Sequence, residues 1–264
     1  MDEVKRKYQE LVDSIKALEK VAVAFSGGAD STLLLKAAMD SGADVTAFMA
    51  IGEIFFPQEQ SGAIHLAEKM GVDVVTLKVD LVNDGQFARN WEDRCYVCKS
   101  AIFSRIKKEA RELDISHILE GSHLDDLKEV RPGRAALMDL NVRSPLMDAQ
   151  LTKAEVRSLL KDLGLPNWDL PSNTCLATRV PHDVRITSTI LRRVERAEAA
   201  LAPFKFKSLR VRDHEYWARI EVAPEDVPRL FQEREKVVQA LKKLGYRKVA
   251  LDLEGYGARR EPNQ

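Results

Sequence analysis

Two groups of residues in this 264-residue chain have types and spacings that can do chemistry. The first is Ser26-Gly27-Gly28-Ala29-Asp30-Ser31-Thr32, a polar turn between an apolar run and a helical pattern. Gly27 and Gly28 carry no side chain, so backbone N–H groups there can approach an anion closely. A helix starting near Asp30 would add unpaired N–H donors and a positive dipole end. Ser26, Ser31 and Thr32 add hydroxyls. These are the parts of a phosphate cradle, although the same residue types also close ordinary helix N-termini. The spacing matches neither the Walker-type loop nor the dinucleotide fingerprint. The second group is the cysteines. Cys95-Tyr96-Val97-Cys98 precedes a helical pattern, and Cys175 stands alone in "LPSNTCLATRVP". Four readings are open: a thiol–disulfide redox pair, half of a zinc site completed by His123 and His182, an iron–sulfur cluster on three thiolates, or plain reduced thiols.

Asp125 and Asp126 follow a short apolar run that ends at Gly121. Beside a triphosphate, paired carboxylates suit Mg²⁺, which takes one or two of them plus phosphate oxygens. Lys99 and Arg131 can neutralise phosphate charge. Arg210 and Arg212 alternate on a strand pattern, which puts them on one face.

Strands and helices alternate around these residues. Strand-like runs cover 21–25, 45–50, 74–79 and 117–120, and helical patterns cover 31–39, 57–70 and 99–113. An amphipathic helix over 1–20 carries Val4, Tyr8, Leu11, Ile15 and Leu18 on one stripe. Such alternation predicts an α/β fold with a parallel sheet covered on both faces. Ligands of these sheets sit beyond the carboxyl ends of the strands, where 26–31 and 121–126 both fall. Beyond Pro181 the order becomes helix 187–201, strands 209–212 and 218–222, helix 224–244 and strand 248–253. This tail reads as a small α+β domain, so the expected domains are 1–181 and 182–264.

Composition narrows the function classes. Lys plus Arg and Asp plus Glu number 41 each, so no whole-chain charge favours nucleic acid or an anionic membrane. No apolar run approaches the roughly 20 residues of a membrane helix. The charged N-terminus does not resemble a signal peptide, so a cytoplasmic protein is expected. Three cysteines make a disulfide framework an unsuitable reading.

The turn at 26–31 resembles the pyrophosphate loop of the N-type ATP pyrophosphatases, which cut ATP between its α and β phosphates. The resemblance implies a PP-loop, adenine nucleotide alpha hydrolase-like domain that forms AMP and pyrophosphate. Three further segments sharpen it. "DRCYVCKSAIFSRI" at 93–106, "EGSHLDDLKEVRPGRAAL" at 120–137 and "LTKAEVRSLLKDLGLPNWDLPSNTCLATRVP" at 151–181 are similar to the LarE family of ATP-dependent sulfur transferases. Thr178 replaces the family's usual serine, and His123 stands where asparagine is more usual.

The resemblance implies adenylation of the carboxylates of pyridinium-3,5-biscarboxylic acid mononucleotide. Sulfur then replaces AMP, in biosynthesis of the nickel-pincer nucleotide of lactate racemase. It implies ATP held by Ser26, Gly27, Gly28, Asp30, Ser31, Thr32, Asp125, Asp126 and Arg131, with Mg²⁺. It gives Asp30, Cys175 and Arg179 catalytic places. Thr178, Arg179, Arg210, Arg212, Glu198 and Glu221 would meet the substrate, the two arginines on strand 209–212 at its phosphate and the two glutamates near a cation. Three-cysteine members bind a [4Fe-4S] cluster, which implies Cys95, Cys98 and Cys175 as ligands and an external sulfide donor of unknown identity. One-cysteine members instead sacrifice the sulfur of the residue matching Cys175. A homo-oligomer is expected. A tRNA thiolase shares the loop and often has Cys-x-x-Cys, but the balanced charge and the lack of an RNA-binding domain weigh against it. A non-enzymatic nucleotide or iron–sulfur binding module is the third class, and the intact segment around Cys175 argues against it.

Overall fold

The computed structural model describes residues 3–128, 132–170 and 173–256. It divides into two compact units, one of residues 1–81 with 92–172 and one of 82–91 with 173–264.

The first unit begins with α1 (Glu3–Lys16), which buries Leu11, Val12 and Ile15. Then β1 (Lys20–Ala24), α2 (Ala29–Asp40), β2 (Asp44–Ile51), α3 (Pro57–Met70) and β3 (Val74–Lys78) alternate as expected. After a short α4 (Gly85–Ala88), which belongs to the second unit, come α5 (Arg94–Glu112) and β4 (His117–Leu119). Then follow α6 (Pro132–Asp139), α7 (Pro145–Asp148) and α8 (Lys153–Asp162). The four strands form one parallel sheet in the order β3-β2-β1-β4. Val21, Ala22 and Val23 are fully buried, because helices cover both faces of β1 and the strand needs apolar groups on each. One face packs against α1, α2, α3 and α8 through Leu34, Ala38, Ala63 and Leu160, and the other against α5 through Phe103 and Ile106.

In the second unit, α9 (Ser188–Leu201) buries Leu191, Val194, Ala197 and Leu201. It is followed by β5 (Arg210–His214), β6 (Trp217–Glu221), α10 (Val227–Gln232), α11 (Arg234–Lys242) and β7 (Lys248–Leu251). The sheet order is β5-β6-β7, with β5 and β6 antiparallel and β6 and β7 parallel. Val211, Ala218 and Ile220 face a core completed by Leu230, Val237 and Leu241. The expected helix 224–244 is three pieces, a 3-10 turn at Pro224–Asp226, then α10 and α11 separated at Glu233.

The division between units falls at 172/173, ahead of the expected 181/182. Asn90 shows why 82–91 travels with the later segment. Its fully buried amide donates to the carbonyls of Pro181 (2.6 Å) and Val184 (3.0 Å). The helix expected at 99–113 begins five residues earlier, at Arg94, so Cys95 and Cys98 lie inside its first turns rather than before it.

Candidate functional site

The glycine turn stands at the carboxyl end of β1. Gly27 has φ +76°, and a Cβ there would stand 2.4 Å from Cβ of Ala63 on α3, so both conformation and space require glycine. Gly28 is the N-cap of α2 and uses no side chain to cap it, which leaves first-turn N–H groups at the loop. Gly121, just past β4, sits with its Cα side against that same helix start. A Cβ there would meet Ser31 N at 3.0 Å and the Asp30 carbonyl carbon at 3.1 Å.

The loop's hydroxyls hold its own shape. Ser31 Oγ accepts from Ser26 N (3.2 Å), lies 3.1 Å from Ser26 Oγ and donates to the Gly28 carbonyl (3.1 Å). Thr32 is fully buried and its hydroxyl accepts from Asn167 (2.7 Å). Thus Ser31 and Thr32 hold the loop's own shape. Asp30 forms a two-oxygen ion pair with Lys153, the first residue of α8, at 2.7 and 2.6 Å. A capping box sets that helix start, with Thr152 accepting from Glu155 N and Glu155 accepting from Thr152 N.

Asp125 accepts from the Lys128 ammonium (2.6 Å) and from Lys153 N (2.8 Å). The Lys128 hydrogen bond, followed by the backbone one, holds its carboxyl below the ordinary value. Asp126 is buried and accepts from His123 N (3.0 Å). The His123 ring lies between the two carboxylates of Asp126 and Asp30, with Nε2 at 3.6 and 4.0 Å. Lys99 reaches buried Glu120 at 3.9 Å. Arg131 lies outside the described residues.

Cys95 is exposed and Cys98 half-buried, three residues apart on α5 and therefore on one face. Cys175 is half-buried in the second unit, and none of the three is in a disulfide. Among the described residues, no three His, Cys, Asp or Glu side chains gather as a metal site.

In the second unit, Cys175 opens a 3-10 turn at Leu176–Arg179. Arg179 is 0% exposed and organises that turn. Its guanidinium grips Glu198 through Nε (2.9 Å) and Nη2 (3.1 Å) and donates to the carbonyls of Thr174 (2.7 Å) and Cys175 (3.2 Å). Asn173 Oδ1 (2.9 Å) and Thr178 Oγ1 (3.0 Å) are further acceptors. With every N–H engaged inside the protein, Arg179 is placed to position the cysteine segment rather than to touch a ligand. Thr178 Oγ1 donates back to the Cys175 carbonyl (2.8 Å).

The β5–β6 register sets Arg210 opposite Glu221 and Arg212 opposite Arg219, all on one face of that sheet. Arg212 donates to the Thr178 carbonyl (2.6 Å) and to Glu221 (2.7 Å). Glu221 also accepts from Arg219 (3.1 Å), and Glu198 also accepts from Val211 N (3.0 Å). Burial, then the charge of Arg179, pushes the Arg210 guanidinium below its usual value, and the Arg210 plane lies 4.7 Å from the Tyr256 ring centroid. Thr178, Arg179, Glu198, Arg210, Arg212 and Glu221 thus form one connected network.

Sequence reasoning missed three contributors. Lys153 and Asn167 lie inside the quoted segment 151–181, and the capping box marked the helix start that carries Lys153. Arg219 could have been found from the alternation on its strand, two residues before Glu221.

Fold and site define an α/β protein with a glycine-rich loop at the carboxyl edge of a parallel sheet and an arginine-rich face on a second, smaller sheet. No model of a known protein family matches the chain. It is 36% identical over 248 residues to the pyridinium-3,5-bisthiocarboxylic acid mononucleotide synthase of Lactiplantibacillus plantarum, covering 93% of this chain and 90% of the relative. Uncharacterized proteins of Synechocystis sp. (36% identical, 90% of each chain) and Methanocaldococcus jannaschii (29% identical, 90% of this chain and 91% of the relative) are also similar. The chain belongs to the family of that synthase, the LarE family. Among the described residues, no helix is long and apolar enough to cross a membrane.

Proposed function

We propose that this chain is an ATP-dependent sulfur transferase that makes the bisthiocarboxylic acid from pyridinium-3,5-biscarboxylic acid mononucleotide, a step toward the nickel-pincer nucleotide. The observation that carries the reading is the end-to-end identity with the Lactiplantibacillus synthase, and the glycine loop supplies the chemistry. A carboxylate oxygen attacks the α-phosphorus of ATP, pyrophosphate leaves, and an acyl-adenylate forms. Sulfide then attacks the acyl carbon and AMP leaves. The logic is that AMP is a far better leaving group than oxide, so one hard step becomes two easier ones.

The backbone at Gly27 and Gly28 and the α2 start receive the departing pyrophosphate. The Asp30–Lys153 pair sets the charge beside it. Asp125 and Asp126 would be the carboxylates of this chain beside Mg²⁺, which when bound would offset the charge of the triphosphate. Arg210 and Arg212 hold the substrate phosphate, as bidentate guanidinium suits a dianion; Glu221 fixes Arg212, and Glu198 holds Arg179 and the backbone of β5. Arg179 is a positioning residue for Cys175.

Cys95, Cys98 and Cys175 would hold a [4Fe-4S] cluster, which when bound supplies an iron without a protein ligand that can carry sulfide. A second reading keeps the reaction but takes the sulfur from Cys175, leaving dehydroalanine. Both are tested together. ATP, Mg²⁺ and the pyridinium substrate should give AMP and pyrophosphate, and ADP with phosphate would refute the reaction. Protein made without oxygen should carry about four irons per chain and turn over repeatedly with added sulfide. A single turnover, with Cys175 lighter by one H₂S in mass spectrometry, selects the second reading.

A further inference from the structure

We infer that Asn167 is a positioning residue that aims the glycine loop at its anion. This rests on the reading of the loop as a pyrophosphate site. Asn167 is 3% exposed and comes from the segment after α8. Its amide nitrogen donates to the Gly27 carbonyl (3.0 Å) and to Thr32 Oγ1 (2.7 Å), so one side chain ties the loop to the helix that follows it.

The geometry has a directional consequence. The Gly27 carbonyl and the Gly28 N–H belong to one planar peptide and point in opposite directions. Gripping the carbonyl therefore holds the Gly28 N–H on the opposite side of the peptide, where it meets Ser26 Oγ at 3.4 Å, a long hydrogen bond that an anion can replace. Gly27 itself sits at φ +76°, and glycine is free to leave that conformation. A loop of two glycines would otherwise have to order this peptide when the anion arrives. The clamp orders it beforehand, which favours binding by preorganisation.

Asn167 also has an orphan. Its Oδ1 is buried and has no hydrogen-bond partner. Flipping the amide would set Oδ1 against the Gly27 carbonyl, two acceptors face to face, so the loop itself dictates the orientation. A buried acceptor left without a donor is costly, and a side chain chosen for packing alone would not carry one.

The test uses the whole chain with Asn167→Ala, which deletes the clamp, and Asn167→Asp, which keeps its size but removes both donors. Calorimetric binding of inorganic pyrophosphate should weaken about tenfold or more, the scale of one misaligned hydrogen bond to a charged group, while adenosine binding stays within about twofold. Equal loss of both ligands, or no loss of either, overturns the inference. A ligand-free readout separates this from the function. The Gly28 amide resonance in nitrogen–proton spectra should move in both variants while core methyl signals hold. An unmoved Gly28 amide refutes the clamp whether or not the loop binds pyrophosphate. A moved amide in a protein whose wild type ignores pyrophosphate keeps the clamp and removes the nucleotide reading. If neither variant folds, exchange of the Asn167 side-chain amide protons in the wild type decides, since protons held by Gly27 and Thr32 exchange slowly and rapid exchange would refute the clamp.

Discussion

Removing Arg179 should cost more than removing any charge on the surface, and the structure says by how much. Its side chain is 0% exposed and its ion partner Glu198 is 11% exposed. Arg179→Met deletes both arms of the bidentate pair and leaves the Glu198 carboxylate with the Val211 N–H at 3.0 Å. Breaking a buried pair from one side costs about 3–5 kcal/mol, because the remaining charge is stranded. At 3 kcal/mol the melting temperature of a chain this size falls by roughly 6–12 °C. Glu198→Gln should be milder, about 2 kcal/mol, since the guanidinium keeps its carbonyl and hydroxyl acceptors and the amide oxygen still accepts. Arg179→Met with Glu198→Leu should lose less than the sum of the singles, with a coupling of about 1–3 kcal/mol. Urea unfolding followed by circular dichroism reads these values, provided the slope is unchanged. A second readout follows the cysteine. In a Cys95→Ser, Cys98→Ser background, Arg179→Met should speed alkylation of Cys175, because the carbonyls of Thr174 and Cys175 lose the donor that fixes them. Loss of less than about 1 kcal/mol together with unchanged alkylation would refute the positioning role.

Asp30→Ala should abolish pyrophosphate release while circular dichroism remains native, since Asp30 is part-exposed at the loop and its partner Lys153 can return to water. Gly27→Ala should destabilise by about 2 kcal/mol, from a positive φ and a methyl clash; adding Ala63→Gly removes the 2.4 Å contact and should recover only part of that loss in a melting experiment, because Ala63 Cα still stands 2.9 Å away. Charge reversal at Arg210 and Arg212 should raise the pyridinium substrate's KM sharply with ATP affinity unchanged, and an unchanged KM would place that phosphate elsewhere. The His214 imidazole is held below its ordinary value, by burial first and then by Arg219. The unfolded chain therefore binds that proton more readily, so stability should fall as pH drops below about 6.5, and His214→Phe should flatten that limb of a pH–stability curve.

The alternation of β1 to β3 with α2 and α3 was legible because each strand is an uninterrupted apolar run and each helix carries its own stripe. The loop was legible from its residue types in order, and at Gly27 the structure shows the reason, since its positive φ and the Ala63 contact leave no room for a side chain, whereas a Cβ on Gly28 would meet only Ser26 Oγ at 3.5 Å. The start of α5 was misplaced because "DRCYVCKS" has no apolar periodicity: Arg94 is buried but polar, and Cys95 is exposed. Asn90 holding 82–91 to the carbonyls near 181 depends on a long-range amide contact, and no local pattern announces one. Arg179 was found by its neighbours and given a ligand-facing place. Only the geometry shows that its charge is spent on Glu198 and the turn carrying Cys175.

A chain with no net charge is the least suggestive background for the proposed phosphate chemistry, and the resolution lies in where the charges sit. Arg179, Arg210, Arg212 and Arg219 gather with Glu198, Glu221 and Asp252, so four guanidiniums face three carboxylates. The carboxylates are buried or nearly so and serve to aim the arginines, as Glu221 does for Arg212 and Arg219. Within the unit these charges offset one another, with one guanidinium in excess. At the loop the same economy holds without cations in excess. Asp30 cancels Lys153, Asp125 cancels Lys128, and the donors left for an anion are backbone N–H groups with no formal charge. Composition sums these terms to zero. A phosphate bound as proposed would meet them one at a time, at distances far shorter than the roughly 10 Å over which salt screens them.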